Sequence, residues 1–145
     1  MDDGFSAEDW LRDDNELSRR FVVYLPSKKK SGDLILEVEE LADGIARMLR
    51  ERFGGATRYP AIGYFGDQEE EVFVIECYCG EDAWRSSSND LYSVMRALGH
   101  YLQQDSIACS FDGKMALVKP APAGNEEFDL AEILHLPNRP AATGE

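Results

Sequence analysis

The chain has 145 residues, 43% hydrophobic and 30% charged, with three cysteines and a net charge of −13. That length suits one domain with its own core. No apolar run approaches the ~20 residues of a membrane-spanning helix, and three cysteines cannot all pair within one chain, so they read as reduced thiols. The N-terminus opens on Asp2 and Asp3 rather than on a basic segment followed by an apolar one, so the expectation is a cytoplasmic protein.

The acid is unevenly spread. Residues 1–17 carry −6, residues 67–82 carry −7 and residues 121–145 carry −4, which leaves the rest at +4. Such a field repels nucleic-acid phosphate and favours a partner with a basic surface.

Residues 1–18 read as an acidic arm, with Ser6 and Asp9 resembling a capping box and Trp10 and Leu11 available to tuck onto the body. Residues 19–120 read as one domain. Its first strand is Arg20 to Leu25, stopped by Pro26, and a polar loop follows with Lys28, Lys29 and Lys30. Asp33 is the expected N-cap of a helix running to Phe53, because Leu34, Val38, Leu41, Ile45, Met48 and Leu49 recur at helical spacing. Gly54-Gly55 supplies the stop. Thr57 to Phe65 is the second strand, and Pro60 within it predicts an edge or a bulge. Gly66 to Glu70 is expected to turn the chain into a third strand, Glu71 to Cys79. A loop around Trp84 and Ser86-Ser87-Ser88 precedes a second helix over Asn89–Gln104. Ser106–Phe111 and Lys114–Lys119 flank Asp112-Gly113, a two-residue hairpin signal. Residues 121–145 form a tail with a short docking helix at Glu126–Leu134, and residues 137–145 are expected to be disordered.

The order strand, helix, two strands, helix, hairpin predicts an α+β fold: a ferredoxin-like β-α-β-β-α-β sandwich with two helices on one face of an antiparallel sheet. Strand alternation then assigns the faces. Phe21, Val23, Leu25, Phe73, Ile75 and Cys77 belong to the core. Arg20, Val22, Tyr24, Val72, Val74, Glu76 and Tyr78 belong to the other side, because Glu76 resists burial. An outer face with Val22, Tyr24, Val72, Val74 and Tyr78 is too apolar to be left to water. Its cover is a second copy in a homodimer, a different protein, or the chain's own tail through Phe128 to Leu136.

No chemical signature stands out. Tyr24 and Tyr78 occupy positions where an RNA-binding sheet stacks bases, but Glu76 lies between them and the charge opposes phosphate, so direct nucleic-acid binding is disfavoured. Cys77-x-Cys79 lacks the spacing and the companions of a zinc site, and neither a metal nor a cofactor is called for. His100 with Asp105 or Glu76 is a conceivable acid–base set that no spacing demands. Lys28, Lys29, Lys30 and Arg58 form a possible anionic-ligand patch.

Tyr24-Leu25-Pro26-Ser27-Lys28, Arg52-Phe53-Gly54-Gly55-Ala56-Thr57 with Tyr59-Pro60, and Leu98-Gly99 through Gln104 to Phe111-Asp112-Gly113 carry a resemblance. Over residues 20–119 they resemble a group of small uncharacterised bacterial and phage-borne proteins with a ferredoxin-like fold. The resemblance implies the fold and no activity. The reading that follows is a non-catalytic interaction or regulatory module that acts through its open sheet face, on itself or on a partner with a basic surface. The sites expected to bind that partner are Val22, Tyr24, Val72, Val74, Glu76 and Tyr78. The alternatives are a small enzyme or small-molecule sensor with a helix–sheet pocket near Tyr59, Tyr64 and His100, and an acidic nucleic-acid mimic linked to phage defence.

Overall fold

The computed structural model describes residues 16–122 and 130–134. The elements are β1 (Arg19–Pro26), α1 (Val38–Phe53), β2 (Thr57–Phe65), β3 (Gln68–Cys79), α2 (Glu81–Tyr101), β4 (Ile107–Phe111), β5 (Lys114–Val118) and α3 (Leu130–Ile133). The five strands form one antiparallel sheet in the order β2-β3-β1-β4-β5. Both long helices pack on one face of it, which is the ferredoxin-like α+β arrangement with an added hairpin strand.

The core follows the alternation of the strands. Phe21, Val23 and Leu25 of β1 and Phe73, Ile75 and Cys77 of β3 point toward the helices, where they meet Leu41, Ile45, Leu49, Leu91, Met95 and Leu98. Burying each large aliphatic or aromatic side chain of this set stabilises the fold by about 1.5–3 kcal/mol.

α1 begins later than its sequence suggests. Asp33 is not the N-cap; Glu37 holds that position without a side-chain cap. Lys28 and Leu34 form an isolated bridge, and the Ile35 N–H donates to the Ser27 carbonyl at 2.8 Å. This turn plugs Ile35 into the core and leaves Leu34, the first residue of the expected stripe, exposed. Beyond it the helix behaves as its charges require. Glu39 and Glu40 sit in the first turn, Arg50 and Arg52 in the last, and Gly54 closes it at φ 98° with its N–H on the Arg50 carbonyl.

The largest departure is in α2. The expected loop around Trp84 and Ser86–Ser88 is helix, so α2 starts at Glu81 instead of Asn89. Packing overrides the weak helix propensity of three serines. Trp84 meets Phe111 at 5.3 Å between ring centroids, Phe53 at 6.2 Å and Phe21 at 6.4 Å. That cluster anchors the start of the helix to the core.

Two tight turns set the strand registers. Asp112 (φ 51°) and Gly113 (φ 87°) both adopt left-handed backbone, as a type I′ hairpin demands. The Asp112 carboxylate accepts from the Arg20 N–H at 2.8 Å and pairs with the Arg19 guanidinium at 2.7 Å, tying the turn to β1. The other turn is Gly66-Asp67, with Gly66 at φ 59°. It is shorter than the expected Gly66–Glu70 connection, so β3 starts at Gln68 and Glu69 to Glu71 are strand residues.

β2 is an edge strand, as Pro60 predicts. Counted from the two-residue turn, Pro60 opposite Phe73 falls at a non-hydrogen-bonded site, so its missing N–H faces away from β3 and costs the ladder nothing.

Leu130 and Leu134 belong to the helix-side core, and Leu134 lies against Gly44 of α1. This part of the tail therefore packs on the helices and not over the open sheet face. The arm through Asn15 and residues 123–129 and 135–145, including Phe128 and the expected tail disorder, lie outside the described residues.

Candidate functional site: the open sheet face

Residues paired in register share a face, so the side of the sheet away from the helices can be read strand by strand. Tyr59, Val74, Tyr24, Ala108 and Leu117 form one row across all five strands. Beside it run Thr57, Glu76, Val22, Ser110 and Met115 in a second row. Val22, Val72 and Val74 make a buried floor with Tyr24 and Ala61 packed against it. Around that floor stand exposed apolar groups: Tyr78 at 48%, Phe65 at 55%, Met115 at 61% and Leu117 at 68%. The expected partner-binding residues Val22, Tyr24, Val72, Val74, Glu76 and Tyr78 are thus brought together on one face.

Glu76 is neutralised there. Its Oε2 accepts from Arg20 Nη2 at 2.6 Å, and the Arg20 guanidinium lies 5.7 Å from the Tyr78 ring centre. The hydrogen bond to Glu76 is the main cause of a raised Arg20 pKa. The pair leaves no net charge at that point of the face.

A cavity of 220 Å³ opens on the same face. Tyr24, Phe65, Glu70, Val72, Ala108 and Leu117 contribute walls, and Gln104 closes one side with its amide nitrogen donating to the Lys28 carbonyl at 2.8 Å. Glu70 reaches the cavity because β3 alternation points it with Val72 and Val74, while Glu69 and Glu71 project from the opposite side. Opposite Glu70 stands Gly63. A Cβ on Gly63 would fall 2.5 Å from Phe65 Cε2, so the glycine is what lets the Phe65 ring lie along the sheet. Glu70 Oε2 is buried and has no hydrogen-bond partner among the described residues.

A larger cleft, 580 Å³, lies where α1 ends, between Phe53, Gly54, Gly55 and Thr57 on one side and Glu76 and Tyr78 on the other. The remaining expected groups do not assemble. Arg58 pairs with Asp43 of α1 at 2.7 Å and lies over the Phe73 ring, whereas Lys30 pairs with Asp105 at 2.9 Å, so Arg58 does not join the three lysines. Tyr59 and Tyr64 fall on opposite faces of β2, and His100 lies in the last turn of α2, the helix that packs on β4 and β5.

Cys77, Cys79 and Cys109 are free, buried thiols. Burial pushes the Cys77 and Cys109 thiols up to about 12. Among the described residues no group of three or more His, Cys, Asp or Glu has the geometry to hold a metal ion, and no helix is long and apolar enough to cross a membrane.

Neither a family model nor a curated protein matches this chain. Solved structures with a similar chain path include a phage SAM lyase in complex with S-methyl-5′-thioadenosine (10% identity, TM-score 0.49, covering 70% of this chain and 88% of that one). The apo phage SAM lyase gives 14% identity, a TM-score of 0.48 and coverage of 72% and 91%. The divalent ion tolerance protein CutA1 from Ehrlichia chaffeensis gives 12% identity, a TM-score of 0.39 and coverage of 80% and 92%. The resemblance to small phage and bacterial proteins is a loose one, of chain path at low identity.

Proposed function

We propose that this chain is a non-catalytic interaction module whose open sheet face docks a partner protein with a basic surface. The observation that carries the reading is the valine floor of Val22, Val72 and Val74 ringed by exposed Phe65, Tyr78, Met115 and Leu117. Large apolar side chains left exposed together on one face of a sheet mark an interaction site. Charge selects the occupant: two copies at −13 each repel, while a basic surface is attracted.

The test compares the wild type with the double variant Tyr78→Lys, Leu117→Lys. Sedimentation from micromolar to near-millimolar concentration reports self-association, and co-purification from the native host reports partners. The reading expects a monomer whose basic partner is lost in the variant. A partner set unchanged by the variant refutes it, and a concentration-dependent dimer abolished by the variant replaces the partner with a second copy. A second reading, a small-molecule sensor, is favoured only by the 580 Å³ cleft, which falls in the size range of ligand sites. Thermal-shift screening against metabolites, with Thr57→Trp to fill the cleft, tests that one.

A further inference from the structure

From the cavity at Glu70 we infer that the open face carries a socket for one arginine side chain of the docked protein. The inference rests on the docking role proposed above and names the chemistry of its anchor. A buried carboxylate oxygen left without a donor is rare in folded proteins and lowers the stability of the chain that holds it. Glu70 Oε2 is such an atom, and it belongs to a residue lining a cavity on the apolar side of the sheet. The oxygen is closed to solvent as it stands, so a cation in the cavity completes its hydrogen bonding once the Glu70 side chain turns toward it.

Three features select the guanidinium of an arginine. At 220 Å³ the cavity is smaller than the sites that enclose whole small-molecule ligands, which run to about 300–1,000 Å³. It fits a side chain inserted from a larger body. Its walls include the aromatic rings of Tyr24 and Phe65 and the aliphatic groups of Val72 and Leu117, surfaces on which a planar, weakly hydrated guanidinium and its three-carbon stem can rest. A single carboxylate in the lining then matches the fork of guanidinium donors. Among interface residues arginine is also one of those that most often carry the binding energy. Gly63 belongs to the same device, because a side chain at that position would drive the Phe65 ring off the sheet and open the wall.

The test uses the intact protein, labelled with ¹⁵N, and two small probes: N-acetyl-arginine methylamide and its uncharged isostere N-acetyl-citrulline methylamide. The socket predicts saturable shifts at the amides of Phe65, Gln68–Val72, Tyr24 and Ala108 with the arginine probe. It predicts at least tenfold weaker binding of the citrulline probe. Glu70→Gln is expected to bring the arginine probe down to the citrulline level, whereas Glu69→Gln, on the other face, leaves it unchanged. Gly63→Ala is expected to weaken the arginine probe severalfold.

Equal affinity for the two probes in the wild type overturns the inference without recourse to any variant, and so do shifts confined to another part of the chain. If the probes fail but the Tyr78→Lys, Leu117→Lys variant still loses its partner, the socket is wrong and the docking face stands. If the arginine probe binds at Glu70 and partners ignore the face, the socket exists and the docking role is wrong.

Discussion

Gly44 offers a test of where the tail lies. A glycine inside a helix costs about 1 kcal/mol relative to alanine, so Gly44→Ala in an isolated α1 should stabilise. In this fold the added Cβ would sit 2.6 Å from the Leu134 carbonyl oxygen and 3.0 Å from Leu134 Cβ. Neither atom is the end of a flexible side chain, so either α1 or the Leu130–Leu134 segment must move. Overpacking of this kind costs typically 1–3 kcal/mol, and displacing the segment also exposes Leu134, now fully buried. The net expectation is a loss of about 1–2 kcal/mol in the full chain. For a chain of this length that lowers the Tm by roughly 2–8 °C. In a chain ending at Pro122 the obstacle is gone, and the same substitution should raise the Tm by a few degrees. The assay is calorimetric or circular-dichroism melting of the four proteins as a double-mutant cycle. A Tm that rises on Gly44→Ala in both backgrounds refutes the packing of the tail on the helices.

Trp84→Ala is expected to cost about 3 kcal/mol, because the ring joins Phe21, Phe53 and Phe111; urea titration measures it, and a loss under 1 kcal/mol contradicts the cluster. Asp112 has its pKa lowered first by the Arg20 backbone N–H and then by the Arg19 guanidinium. Its folded value lies below its unfolded one, so its contribution is present above the usual carboxylate range and disappears as pH falls through the folded value. A Tm gap between wild type and Asp112→Asn at neutral pH should therefore shrink below about pH 4, and a gap that widens on acidification contradicts the assignment. For the buried Cys77 and Cys109, with thiols near 12, labelling at pH 8 should be slow in the native protein and complete after denaturation. Immediate modification of both in native buffer would show that they are not core residues.

The parts of this fold that were legible in the sequence are those encoded locally. Asp112-Gly113 dictates a hairpin through the left-handed backbone that a type I′ turn requires, and Pro60 marks an edge because it lacks a donor. Alternation along β1 and β3 assigned the faces correctly, with Glu76 as the deciding residue. What was missed depends on contacts distant in sequence. Ser86 to Ser88 read as loop because their propensity is weak, whereas the helix that contains them is held to the core through the aromatic neighbours of Trp84. Asp33 read as a cap because nothing local announces the Lys28–Leu34 bridge.

The socket was hidden for a related reason. A connection over Gly66 to Glu70 gives Glu70 no face, whereas the strand it belongs to sets it opposite Gly63. Gly66-Asp67 was the available signal, since a glycine at the first position of a two-residue turn extends both strands and points Glu70 to the open side.

The docking claim is tested most directly by a photoreactive benzoylphenylalanine placed at Leu117 or Tyr78 on the open face, or at Tyr92 on α2, in cells of the native host. All three positions are exposed. The account predicts a discrete cross-linked partner from Leu117 and Tyr78 and none from Tyr92. Cross-links from Tyr92 with none from the sheet face would contradict it.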